Sequence, residues 1–215
     1  MKAELINYFG DDLMVVNAAR VSYGKYKFEL DEKDKKLIKF LVDHGHTSPF
    51  RHPQLQFRIS CPIFVERQLF KHQISLTANS ISGRYVDFSD SYELPEQLRF
   101  QSKDSKQGSA GFLEEQKNNE LCNKIKNLVK ESASLYEELC KNGVAKEQAR
   151  IILPLCLNTQ FMWTGSLAAF IHLWKLRLKL DTQQETREIA QQMLDLVKNI
   201  DSKPFKMTLE AFNYG

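Results

Sequence analysis

Cysteine is scarce in this chain. Cys61, Cys122, Cys140 and Cys156 are the only four among 215 residues and no two form a C-x-x-C pair, which excludes a zinc ribbon and a disulfide framework; the thiols are expected to stay reduced. An excess of one charge is lacking as well. Thirty Lys and Arg against 27 Asp and Glu leave a net charge of +3, too little for a surface that coats nucleic acid, and no aromatics interleave the basic stretches. No apolar run approaches the ~18–20 residues of a membrane-spanning helix, and the opening MKAELINYFGDD has no apolar signal core. Neither nucleic acid nor membrane is an expected partner, and a cytoplasmic location is expected. Also missing are G-x-G-x-x-G after a strand, G-x-x-x-x-G-K-[ST] and G-x-S-x-G, so a Rossmann turn, a P-loop and a nucleophile elbow are excluded.

What is present is a globular composition, 42% hydrophobic and 27% charged, in a length that suits one domain over residues 1–215. Glu4 to Phe9 reads as a strand and Leu13 to Val21 as a helix, followed by a tyrosine-rich loop. In DEKDKKLIKFLVDHGH, acids in the first turn, an apolar stripe of Leu37, Ile38, Leu41 and Val42, and Gly45 as a stop predict a helix from Asp31. QLQFRIS alternates apolar and polar residues, the pattern of a strand with one buried face, and Pro62 suits the first turn of a following helix. Asp87 to Gly111 is polar and aperiodic, a long surface loop by this reading. Helices are predicted near 115–141, 145–155, 164–179, 183–199 and 204–213. The fold class is α+β: a helix-rich single domain with a small, mostly antiparallel sheet.

Three clusters could carry chemistry. HGHTSPFRH packs His44, His46 and His52 into nine residues, but H-x-H at a helix end is not a recurring zinc spacing. No metal is expected, structural and pocket-lining roles both stay open, and His44 suits the helix C-terminus. In PIFVERQLFKHQISLTANSISGRY, Gln68, Lys71 and His72 share one face if the helix continues. Ser75, Thr77, Asn79, Ser80 and Ser82 then crowd polar groups ahead of Gly83 and Arg84, a donor array that suits an anion or an ordinary polar loop. In the third cluster Glu147 and Arg150 stand three apart, a spacing common in surface pairs. Arg177 lies among Leu176, Leu178 and Leu180, where an unpaired guanidinium is costly and a ligand is the favoured partner, whereas His172 reads rather as a core histidine.

Together the clusters resemble the flavin-dependent thymidylate synthase family, whose signature is R-H-R-x-x-S-x-N-x-x-S-x-R. Here KHQISLTANSISGR, Lys71 to Arg84, stands in its place, one residue longer. AARVSY, DHGHTSPFRH, PIFVERQLFKH, EQARIILPL and LRLKLDTQQE extend the resemblance over most of the chain. It implies a homotetramer with FAD and dUMP at sites shared between subunits. The implied reaction is reductive methylation of dUMP to dTMP, with methylenetetrahydrofolate as one-carbon donor and NADPH reducing the flavin. Residue by residue, the resemblance puts Gln68, Lys71, Ser82, Gly83, Arg84, Arg150 and Arg177 at dUMP, and Ser22, His46, Ser48, His72, Asn79, Ser80, Ser166 and His172 at FAD. Arg177 and His46 are the implied catalytic pair.

Four positions depart from the pattern. Lys71 and Gln73 replace the two signature arginines, Ser80 stands where glutamate is common, and Arg51 stands where some members carry an acid. The same resemblance therefore admits two readings: an active divergent branch, or a nucleotide- and flavin-binding homologue without catalysis.

Overall fold

In the computed structural model, which describes residues 1–84, 91–103, 106 and 108–215, the chain opens with strand β1 (Lys2–Phe9) and helix α1 (Asp12–Arg20). A 3-10 turn, Val21–Tyr23, leads to α2 (Glu32–Asp43). The expected start of α2 is a capping box, in which the Asp31 carboxylate takes the Asp34 N–H and the Asp34 carboxylate takes the Asp31 N–H. Its end is the expected one too: Gly45 adopts φ +69°, and His44 Nδ1 lies 2.9 Å from the Phe40 carbonyl. A second 3-10 turn, Ser48–Arg51, precedes β2 (Gln54–Pro62) and α3 (Ile63–Leu69).

Beyond α3 the chain is less helical than its composition implies. The donor array forms strand β3 (Leu76–Ser80), and the expected loop contains β4 (Arg99–Gln101) and β5 (Ser109–Phe112), paired antiparallel. Tyr85 of the SGRY segment, and 87–90, 104, 105 and 107 of that loop, lie outside the described residues. Helix α4 (Glu115–Lys141) matches expectation, but the helix expected over 145–155 reduces to α5 (Lys146–Ala149) and a 3-10 turn, Arg150–Ile152. Pro154 cannot continue a helical hydrogen-bond ladder. Strand β6 (Asn158–Ser166) follows, so α6 spans Leu167–Arg177 rather than starting at 164; α7 (Gln184–Lys198) and α8 (Lys206–Ala211) complete the chain.

The main sheet is antiparallel in the order β1-β2-β6-β3. Every residue of β2 pairs with β6, from Gln54 opposite Ser166 to Pro62 opposite Asn158. One face of this pair is the core: Leu55, Phe57, Ile59, Phe161 and Trp163 are each at most 1% exposed. Onto it pack Phe170 and Trp174 of α6 and Ile189 and Met193 of α7, all fully buried, and burial on this scale is the main force holding the helices to the sheet. Among the described residues no helix is long and apolar enough to cross a membrane.

Candidate active site

The site forms where the start of β3 meets the junction of β6 and α6. Helix α3 stops at Leu69, yet the chain keeps winding for one turn, with Lys71 N–H on Gln68 O at 3.3 Å and His72 N–H on Leu69 O at 3.0 Å. Ser75 then takes a left-handed backbone, φ +59°, unusual for a residue with a side chain, and its carbonyl receives the Ser166 N–H at 3.2 Å. Gly165 makes this approach possible. A Cβ there would stand 2.5 Å from the Ser75 oxygen and 2.4 Å from Leu76 Cδ2, closer than any side chain tolerates. Ser166 is buried and its hydroxyl caps α6 by accepting the Ala169 N–H at 3.3 Å.

Between these elements lies a cleft of about 370 Å³, lined by Thr47, Arg51, Lys71, His72, Gln73, Ser75, Ser166, His172 and Arg177 over an apolar floor of Ile74, Leu76, Ala168, Ala169 and Leu176. Among the described residues no aspartate or glutamate contributes to that lining. Arg177 Nε donates to His72 Nε2 at 2.9 Å and Nη2 reaches the Gln68 carbonyl at 3.4 Å, while no carboxylate of the described residues comes within ion-pair distance. Partial burial lowers the pKa of Arg177. Burial, reinforced by the charges of Arg177 and His172, lowers that of His72 to about 4. The His72 and His172 rings meet edge to face at 5.9 Å. The core reading of His172 is therefore corrected: it is exposed on the cleft wall. The leucines around Arg177 do not bury it either, since Leu176 is 37% and Leu180 90% exposed; the turn after α3 covers the guanidinium instead.

Arg177 also borders a second cleft of about 800 Å³, where Gln68, Arg99, Lys179, Asp181 and Arg187 gather. There the Gln68 amide is held by α7 and the segment before it, accepting from Thr186 Oγ1 at 3.0 Å and donating to Gln183. Arg99 pairs with Glu185 at 2.6 Å. Sequence reasoning passed over Thr47, Arg99 and Arg187. The four-residue spacing of Thr47 and Arg51 was a usable signal, and it becomes a hydrogen bond of 3.2 Å on the cleft wall.

The remaining expected residues stand elsewhere on this chain. His46 and Ser48 flank Thr47 but are not among the lining residues; His46 stacks on Phe40 at 6.0 Å and on His44 at 6.4 Å. Ser22 is exposed in the first 3-10 turn, and Asn79 and Ser80 are exposed on β3. The Ser80 hydroxyl donates to Glu66 of α3 at 2.9 Å, and burial raises the pKa of Glu66. Ser82 accepts the Arg84 N–H at 3.3 Å, Gly83 is buried, and Arg150 is exposed on the far 3-10 turn. Among the described residues no three His, Cys, Asp or Glu side chains form a metal-binding group.

Comparison with known proteins matches this architecture to one family. A solved UMP/dUMP methylase PolB from Streptomyces cacaoi, bound with 5-Br dUMP, superposes with a TM-score of 0.87 and 26% identity, covering 99% of this chain and 94% of that one. A flavin-dependent thymidylate synthase of Kosmotoga olearia is 40% identical over 208 residues, 97% of this chain and 88% of its own. That of Thermus thermophilus is 40% identical over 194 residues, 90% of this chain and 70% of its own. The profile of the family described as thymidylate synthase complementing protein matches residues 4–201. With that match spanning most of the chain, and relatives of this identity along nearly its whole length, the chain belongs to the thymidylate synthase complementing protein family.

Proposed function

We propose that residues 1–215 act as one cytoplasmic flavin-dependent thymidylate synthase domain, working as a homotetramer that methylates dUMP to dTMP with methylenetetrahydrofolate and NADPH. The observation that carries this reading is the cationic cleft, in which Arg51, Lys71 and Arg177 converge from three separate elements on one space and no acid of the described residues joins them. Such a donor set suits an anionic nucleotide, because guanidinium forks and an ammonium bind phosphate and polarise carbonyl oxygens where nothing competes for them. The same donor set fits FAD. Polar side chains at Ser75, His72 and His172 line the cleft together with apolar Leu76, Ala168 and Leu176, a mix of polar and apolar groups that suits an isoalloxazine ring. FAD, when bound, supplies the redox chemistry.

The protein's own contribution is position and charge. Lys71 and Arg177 hold the nucleotide, and the unneutralised guanidinium of Arg177 favours negative charge building on a uracil carbonyl. No cysteine is positioned to attack the pyrimidine: Cys61 is buried with its thiol pushed up to about 12, and burial raises Cys156 as well, so neither offers a thiolate at neutral pH. Ser22, His46, Ser48, Asn79 and Arg150, which lie off this cleft, join it from neighbouring copies in this reading. The other reading, a nucleotide-binding homologue without catalysis, draws on Lys71, Gln73 and Ser80. Incubation with dUMP, methylenetetrahydrofolate, FAD and NADPH separates the two. The expected outcome is dTMP; binding of dUMP and FAD with no NADPH oxidised and no dTMP formed would establish the second.

A further inference from the structure

An arginine in a protein interior ordinarily meets a carboxylate. Arg177 meets an imidazole. Its Nε–H points at His72 Nε2 across 2.9 Å, and a nitrogen that accepts a hydrogen bond carries no proton of its own. The ring must then be neutral, with its proton on Nδ1. The surroundings favour that state: His172 and Arg177 face it from α6, Lys71 precedes it in the same turn, Arg51 lines the same cleft from the Ser48–Arg51 turn, and no acid of the described residues joins them in the lining. A second proton on His72 would add one more cation to this group and would abolish its bond to Arg177.

We infer that His72 is a positioning residue, a neutral acceptor that fixes the Arg177 guanidinium by its Nε–H while leaving its positive charge and remaining N–H groups for an anionic ligand. A carboxylate at position 72 would hold the arginine equally well but cancel the charge the ligand needs. A neutral lone pair separates the two tasks: geometry comes from His72 and the Gln68 carbonyl, neither of which competes as an anion. The same bond bars His72 Nε2 from acting as a general acid while Arg177 is held, because a nitrogen that accepts there has no proton to give. This assignment rests on the reading of the cleft as the nucleotide site only for the identity of the ligand. The coupling of His72 to Arg177 stands on the contact itself.

Two measurements on the full-length protein decide it. In ¹⁵N-histidine spectra without ligand, His72 should show an unprotonated Nε2 and a protonated Nδ1, remain neutral down to about pH 4, and move up by about one pH unit or more in Arg177→Ala. An ordinary titration midpoint in wild type, or one that Arg177→Ala does not move, would overturn the inference. In dUMP titrations, His72→Ala and Arg177→Ala should each weaken binding about tenfold or more. The double variant should be no worse than Arg177→Ala, and His72→Gln, whose amide oxygen can accept from Nε, should stay within about threefold of wild type. Additive losses, or a His72→Gln as weak as His72→Ala, would equally refute it. If wild type binds no dUMP, the activity reading fails while the spectra still decide the role of His72.

Discussion

Ser80 has its carboxylate partner on the neighbouring helix. Its hydroxyl donates to Glu66 at 2.9 Å, so an acid stands beside position 80 although the strand does not carry it there. Ser80→Glu would set an exposed carboxylate against the partly buried one of Glu66, where like charges raise each other's pKa. We expect Ser80→Glu to lose about 1 kcal/mol at pH 8, where both groups are ionised, and less near pH 5, where the pair shares a proton. Glu66→Ala/Ser80→Glu should remove the penalty at both pH values, with urea midpoints as the measurement. Equal losses at the two pH values would mean that sterics, not charge, govern the site. At this scale the sequence was informative about types and poor about partners. The run from Lys71 to Arg84 suited an anion or an ordinary polar loop, and nothing in it revealed that Arg177 would pair with His72, a contact across 105 positions.

Elements position these residues, and one ion-pair cluster positions an element. Asp34 is fully buried, caps α2, and holds Arg20 at 2.7 Å and Lys27 at 2.5 Å, closing the tyrosine-rich segment that carries Ser22 onto the helix. Burial alone would raise its pKa, but the hydrogen bonds from Lys27 and Arg20 prevail and hold it below the ordinary carboxylate value. A depressed folded pKa contributes stability above the unfolded value near 3.9, and that contribution is lost as pH falls through the folded one. Asp34→Asn should cost about 2 kcal/mol at pH 7, under the ~3–5 of a fully buried pair because Arg20 and Lys27 remain about a quarter exposed. The difference between wild type and variant should shrink as pH falls below the unfolded value near 3.9, and denaturation at neutral and acid pH checks both the cost and its pH dependence.

The legible elements were those with a local signature: the capping box of α2, the alternation of β2, the long stripe of α4. Strand β6 had one as well, with Thr159, Phe161 and Trp163 buried and Gln160 exposed between them, but Gly165 and the apolar helix after it blurred its end. Strand β3 had none. Its side chains are mostly exposed, so its strand character comes from the backbone of β6 rather than from hydrophobic alternation.

At the scale of the whole molecule, several of the exposed apolar side chains cluster on one stretch of sequence and on a sheet edge. β1 is an edge strand with Phe9 62% exposed, and Val21, Tyr23, Tyr26 and Phe28 in the following segment are 69–85% exposed. Exposed aromatics at this density mark surface that another protein covers, and the proposed tetramer supplies one. Light scattering should return four times 25.0 kDa, and Tyr23→Asp or Phe28→Asp should lower the mass. A wild-type monomer that retains flavin would exclude shared sites.

The cationic cleft also sets how the protein responds to heat. Cations gathered without counter-charges repel one another in the folded state and are relieved by separation on unfolding, so the empty form is the least robust one. Any anion that occupies the cleft only when the chain is folded raises the melting temperature by mass action, by ~2.7 kcal/mol of stability at one hundred times its dissociation constant. The melting temperature is thus a property of the solution as much as of the chain: it should climb with the logarithm of phosphate or nucleotide concentration, and a purification that strips such anions should yield the form most prone to aggregate.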